Sequence, residues 1–488
     1  MAIEHLEPKS VFKFFSEISA IPRGSKNELE ITDYLLEFAR KRGLWVHRDE
    51  YLNVVIRKKA SPGYENAPVV ILQGHTDMVC EKDSHVEHDF TKDKIKLVVD
   101  GEYLRADGTT LGADNGIGMA YCLALLDDTS LMHPPLEVLL TSDEEDGMTG
   151  AANLEPRLLT GRMLINLDSG EEGKFFISCA GGINIHLHVP AQTLGINDIP
   201  SGCSAFTLRV HGLKGGHSGA DIHKELGNAN CILSRVLCAL RKYDFYIADI
   251  SGGAKENAIP REAQATLLFK NPDISDISAL ITEMREDIKT EYRFADPDVQ
   301  LSLEELREPS SVSKVFTKDS SRKLAYTGSL LPAGIQHMCR LEGFEDLVET
   351  SINLGVVNTL DDSVVFCCSL RSSVVSRKYE SEQKIQLVAE VLGAKTEKIA
   401  DYPAWEFNPD SKLQYFFLEE YEKFTGKKPE ITAIHAGLEC GWFAEILDRP
   451  DMISLGPNCK DLHSPVEKVE IGSVARVWEF LKHALANI

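Results

Sequence analysis

Along its N-terminal third the chain alternates between two hydrophobic periods. Leu29, Ile31, Tyr34, Leu35 and Phe38 recur at helical spacing behind Ser25-Lys26-Asn27-Glu28, which reads as a capping box, and the pattern stops at Gly43. Short apolar runs follow at Asn53-Val54-Val55-Ile56, Val69-Val70-Ile71-Leu72, Leu136-Glu137-Val138-Leu139-Leu140 and Met163-Leu164-Ile165-Asn166-Leu167, and runs of this length read as buried strands. Gly112-Ala113-Asp114-Asn115-Gly116 reads as a turn into an apolar helix from Ile117 to Leu126. Strands interleaved with helices predict an α/β fold, with a mixed, mostly parallel sheet covered by helices.

After about Pro190 the pattern changes. Ala205 to His211 alternates like a half-exposed strand, and a glycine-rich turn from Gly212 to Gly219 leads to a helix near Asn228 to Leu240. Strand and helix patterns then recur at 263–269, 275–287, 364–370 and 380–392. From about Pro403 the chain returns to the first pattern, and Ile471, Val474, Val477, Trp478, Leu481 and Leu485 mark an amphipathic C-terminal helix. The expected organisation is a discontinuous first domain, 1–188 and 400–488, with an inserted α+β domain over 189–399 placed as a lid.

Composition narrows the partners. At 488 residues the chain exceeds one hydrophobic core, and 52 Lys and Arg against 75 Asp and Glu leave a net charge of −23. That charge repels phosphate backbones and anionic lipid, so neither nucleic acid nor membrane is an expected partner. The opening run Met1-Ala2-Ile3-Glu4-His5-Leu6-Glu7 lacks a signal-peptide pattern, and a cytoplasmic protein is expected. None of the eleven cysteines is spaced Cys-x-x-Cys, and Cys367-Cys368 sit in a strand-like run, so buried small hydrophobes in a reducing compartment are expected.

The candidate chemistry lies at strand ends. In Gln73-Gly74-His75-Thr76-Asp77, directly after an apolar run, His75 and Asp77 leave the strand on the same side. They read either as a metal ligand with its orienting carboxylate or as a core histidine satisfied by a turn. Asp114, Glu144, Glu145 and Asp168 also fall beyond predicted strands or before a helix, where open α/β sheets bind ligands, and His463 lies in a loop before the last helix. Taken singly, Asp143-Glu144-Glu145-Asp146 is equally a solvated acidic turn, and Asp168 a strand-end cap.

Together, Gly74-His75-Thr76-Asp77, Gly112-Ala113-Asp114-Asn115-Gly116, Asp143-Glu144-Glu145, Asp168, Gly215-Gly216-His217-Ser218-Gly219 and His463-Ser464-Pro465 resemble the M20 family of co-catalytic zinc peptidases. Leu167 to Gly173 and His435 to Gly441 are similar in wording to its aminoacyl-histidine dipeptidase branch. The resemblance implies two zinc ions, with manganese or cobalt as substitutes. His75, Asp114 and Asp168 would hold one ion, and Asp114, Glu145 and His463 the other, with Asp114 bridging. Asp77 would orient His75, and Glu144 would be the general base. His217 would stabilise the oxyanion, although its loop alone reads equally as surface. Arg371 would grip the substrate carboxylate, with Asn257, His435 and the backbone at Gly437 as lesser substrate contacts that could equally be turns or caps. The implied activity is hydrolysis of unblocked dipeptides, Xaa-His among them, by a homodimer. Deacylation of N-acyl amino acids or C-terminal trimming is the alternative within the family, and a non-catalytic zinc- or peptide-binding protein the alternative outside it.

Overall fold

The four apolar runs of the N-terminal third become strands of one sheet in the computed structural model, which describes residues 3, 5–270, 272–306, 312–341 and 343–488. Its eight strands run in the order Trp45–Arg48, Val54–Lys58, Leu136–Thr141, Val70–His75, Met163–Asn166, Asp451–Ser454, Lys174–Cys179 and Glu430–Ile434. Leu136–Thr141, Val70–His75, Met163–Asn166 and Asp451–Ser454 pair in parallel, and antiparallel pairs flank them, so the sheet is mixed with a parallel centre. Helices Lys9–Ile18, Leu29–Lys41, Ala113–Asp127, Lys412–Thr425 and Ile471–Asn487 cover it. Val70–His75 and Leu136–Thr141 are buried along their whole length, which is why these runs are continuous rather than alternating. Ala113–Asp127 is buried almost all round, and the Tyr121 hydroxyl, fully enclosed, donates to the Val474 carbonyl at 2.9 Å.

The capping box is not used as one. The helix Leu29–Lys41 starts at Glu28 without a side-chain cap. Ser25 Oγ donates instead to Asp77 Oδ2 at 2.8 Å, and Glu28 Oε1 accepts from the Asp143 N–H at 2.9 Å. Both residues are committed to the loops that carry the acids.

The chain divides into two units, the first comprising Met1–Ser178, Phe407–Ala433 and Leu438–Ile488, the second Cys179–Glu406 and Ile434–Gly437. The joins differ from 188/189 and 399/400 because Gly181–Pro190 pairs with Ser363–Ser372 and Lys395–Tyr402 in the second unit's own sheet. That antiparallel sheet runs Gln300–Glu305, Cys203–His211, Ala263–Lys270, Phe245–Gly252, Val348–Thr359, Ser363–Ser372, Gly181–Pro190 and Lys395–Tyr402, with Gly334–Met338 beside Val348–Thr359. Ile183, Ile185, Leu187 and Val189 share one core with residues of the helices Ala229–Ala239, Ile274–Glu291, Lys318–Leu330 and Val375–Leu392. Among the described residues no helix is long and apolar enough to cross a membrane. Met1, Ala2 and Glu4 of the opening run lie outside the described residues.

Candidate active site

In the first unit the parallel strands end level with one another, His75 opposite Thr141 and Gln73 opposite Asn166, so the loops that leave them converge. Asp77 follows Val70–His75, Asp168 follows Met163–Asn166, and Glu144 and Glu145 open the short helix Glu144–Gly147 after Leu136–Thr141. Asp143 makes that last turn in the left-handed region, at φ 53°. Asp114 sits in a non-helical break at the start of Ala113–Asp127.

His75 Nε2 lies 3.1 Å from Asp114 Oδ1 and 3.4 Å from Asp168 Oδ1, whereas His463 Nε2 lies 3.5 Å from Asp114 Oδ2 and 3.1 Å from Glu145 Oε2. Each carboxylate oxygen of Asp114 therefore faces a different histidine. The five residues form two donor sets that share Asp114. Imidazole nitrogen and carboxylate oxygen are ligands that a divalent metal such as zinc accepts. Three acids packed around two imidazoles need compensating positive charge, and Glu145 Oε1 is buried without a hydrogen-bond partner, so the residues present fit a metal centre.

Asp77 is fully buried and ties the parts together. Its Oδ1 lies 3.2 Å from His75 Nδ1, and its two oxygens accept the N–H groups of Glu144 and Glu145 at 3.0 and 3.1 Å. Burial alone would raise this carboxyl, but hydrogen bonds from His75 and Ser25 outweigh it and hold the group down at about 2. A carboxylate on Nδ1 leaves Nε2 of His75 free to ligate. Glu144 differs: burial lifts its carboxyl well above the ordinary range, and Asp168, Glu439 and Glu145 add to the lift against the opposing pull of His75. Hydrogen bonds to Asp114 and Glu145 raise the His463 imidazole to about 10.

Four supporting residues escaped sequence reasoning. Glu467, buried, accepts the N–H groups of Leu111, Gly112 and Ala113 at 2.7, 3.0 and 2.8 Å, with Asp114 N at 3.4 Å. Arg23 donates to the carbonyls of Thr76, Asp77 and Gly112, joining the His75 loop to the Asp114 loop. Glu439, which burial lifts to about 7, accepts from Gln73 Nε2 and Thr141 Oγ1 at 2.6 and 2.8 Å. The chain of side-chain bonds continues from Gln73 through Asn166 to Ser454, a polar belt across the parallel strands beneath the site. Asn115 donates to Asp168 Oδ1 at 2.9 Å and packs so tightly on Gly74 and Gly118 that a Cβ at either would overlap its amide. Of these, Glu467 lies four residues beyond His463, Asn115 follows Asp114 in its motif and Glu439 lies within 435–441, whereas no pattern marks Arg23.

Glu467→Gln is expected to turn an amide donor toward backbone donors, at about 1–3 kcal/mol for a buried group left unpaired. A lowered denaturation midpoint together with weaker metal retention is the expected result. An unchanged midpoint and metal content would assign the order of the Asp114 loop elsewhere.

The second unit holds the remaining candidates. His217 Nδ1 accepts the N–H groups of Gly219 and Ala220 at 3.2 and 3.0 Å, which leaves Nε2 to carry the ring proton. Burial, then Arg371, depresses its pKa, so the ring is a neutral donor. Arg371 is buried, donates to the Tyr402 hydroxyl at 2.9 Å and keeps an unpartnered Nε. His435 Nε2 lies 2.8 Å from Ser351 Oγ, its Nδ1 is unpartnered, and burial followed by Arg371 and His217 drives it down to about 3. Asn257 is exposed on a loop whose flanking carbonyls, Glu256 and Ala258, accept from Asn353 Nδ2 at 3.0 and 2.8 Å. Gly437 ends the short segment Ile434–Gly437 of this unit.

The sequence profile of peptidase family M20/M25/M40 matches residues 71–487. A cytosol non-specific dipeptidase of Escherichia coli is 39% identical over 489 residues, covering 100% of this chain and 99% of the relative. The crystal structure of aminoacylhistidine dipeptidase from Vibrio alginolyticus superposes with a TM-score of 0.92 at 40% identity, covering 100% of this chain and 98% of that one. Aminopeptidase PepT from Bacillus cereus shares the fold, with a TM-score of 0.62 at 16% identity over 99% of this chain and 98% of that one. Profile and full-length likeness agree, and the chain belongs to peptidase family M20/M25/M40.

Proposed function

We propose that this protein is a metallo-dipeptidase that hydrolyses unblocked dipeptides, Xaa-His among them, with two zinc ions held by His75, Asp114 and Asp168 and by Asp114, Glu145 and His463. The observation that carries the reading is Asp114, which faces one histidine with each oxygen, with a further buried carboxyl, Glu144, within electrostatic reach of His75, Asp168 and Glu145. The full-length likeness to a dipeptidase of Escherichia coli supports the substrate class. Manganese or cobalt fits the same donors.

Bound divalent ions supply Lewis-acid polarisation of the scissile carbonyl and lower the pKa of the attacking water. Glu144 takes that water's proton and returns it to the leaving amine nitrogen as the C–N bond breaks. Asp77 holds His75 in register and, through two backbone N–H groups, fixes Glu144 and Glu145 relative to it. His217 offers a neutral Nε2–H to the oxyanion. Arg371 takes the substrate carboxylate through its free guanidinium edge, with Asn257, His435 and the Gly437 backbone orienting the peptide. A cytoplasmic homodimer completes the proposal, and light scattering reads its mass directly.

A panel of free dipeptides beside their N-acetylated forms tests the substrate class. Free dipeptides are expected to turn over at least tenfold faster, and activity is expected to vanish on chelation and return with zinc. Preference for the acetylated forms would make the protein a deacylase. Activity indifferent to chelation would remove the metal from the reaction.

A further inference from the structure

The adjacent Cys367 and Cys368 point to opposite faces of the second unit's sheet, as strand geometry requires. Cys368 lies in the helix-covered core, whereas Cys367 is absent from it and lies on the face that carries His186 and His188. Cys367 pairs directly with His186, and His186 pairs on its other side with Glu397, so thiol, imidazole and carboxylate stand in line across three neighbouring strands. Glu256 reaches the same place from a loop, with its Oε1 2.5 Å from His186 Nε2 and its Oε2 buried and unpartnered. The ligand atoms of His186, Glu256 and Cys367 lie within 4.8 Å of one another, and those of His186, His188 and Glu397 meet the same limit.

We propose that His186, Glu256 and Cys367 form a further metal site, separate from the peptidase centre, for zinc or a similar thiophilic divalent ion, with His188 and Glu397 flanking it. The class of ion follows from the donors, because a thiolate with imidazole and carboxylate selects zinc over calcium or magnesium. Side-chain exposures of 22% for His186 and 26% for Glu256 give an ion a route from solvent. The Glu256 backbone is held firmly: its Cα would lie only 2.7 Å from a Cβ at Gly355, so a side chain at Gly355 would displace it. Metal bonds of about 2.0–2.3 Å set tetrahedral donors roughly 3.5 Å apart, so the ion replaces the His186–Glu256 proton and opens that contact by about 1 Å. Burial, then Glu256, pushes the Cys367 thiol up to about 12, so binding also releases the thiol proton. An ion here fastens Glu256 to the sheet two residues before Ala258, the strand partner of His217.

Cobalt(II) is the probe, supplied as the only metal to the full-length protein after its bound metals have been removed. The donors assigned to the peptidase centre are nitrogen and oxygen, so a thiolate-to-cobalt charge-transfer band in the near ultraviolet reports a cysteine ligand, and because Cys459 lines the cavity beside Asp114 and Asp168 the Cys367 variant decides which cysteine it is. The wild type and Cys368→Ser are expected to show the band. Cys367→Ser is expected to lose it, together with one ion per chain by elemental analysis, and His186→Gln to weaken cobalt binding at least tenfold. A wild type without the band, or a Cys367→Ser protein that keeps it, overturns the proposal.

Discussion

Replacing Glu144 by glutamine is expected to lower kcat on an unblocked dipeptide by about 10²–10⁴-fold, the range lost with a general acid–base group, while bound metal stays near the wild-type count. The two outcomes separate because the proposed donor sets leave out the Glu144 carboxyl, and its N–H, which glutamine retains, is the group that Asp77 holds. The short helix keeps its seat and Glu145 keeps its place beside His463. KM is expected to change little, since the isosteric amide preserves shape and removes only the ability to carry a proton. Titrating kcat and measuring metal on the same preparation distinguishes a lost base from a damaged site. Retained turnover would reassign the base; lost metal would make Glu144 a ligand.

The legibility of this candidate site in the sequence follows from where the proposed ligands lie. His75, Asp114, Glu145 and Asp168 sit at the ends of buried strands or the start of a buried helix, and burial on all sides makes those elements legible as unbroken apolar runs. His463 has no such element before it, and only its place in the family pattern identified it. The supports were illegible for a physical reason. Glu467, Arg23 and Glu439 act through backbone and amide groups brought together by folding, over sequence separations of 353 to 356, of 53 to 89, and of 298 to 366 residues, and no local pattern records such pairings. Ser25 and Glu28 show the converse. A local pattern with a sound mechanism was overridden because Asp77 and the Asp143 N–H competed for the same side chains. The strand Val348–Thr359 was missed because Glu349, Thr350, Ser351 and Asn353 are polar yet buried, which erases the alternation that marks a half-exposed strand.

Asp114→Ala is expected to strip the protein of both ions and of activity, whereas His75→Ala is expected to cost one ion preferentially. The asymmetry follows from the two oxygens of Asp114, one toward His75 and Asp168, the other toward His463 and Glu145. Without Asp114 each set drops to two protein donors, fewer than the three that a catalytic zinc ordinarily retains, and affinity falls in both at once. Without His75 the set of Asp114, Glu145 and His463 is complete, and the remaining acids still favour a cation there. Asp77→Asn is the comparison that separates ligand from support: weakening the carboxylate behind His75 costs roughly 10–100-fold in affinity or activity, not the ligand itself. Equilibrium dialysis against buffered zinc, with elemental analysis per chain, reads all three variants on one scale. If Asp114→Ala and His75→Ala retain the same single ion, Asp114 is an ordinary ligand of one metal and the shared-carboxylate centre is wrong.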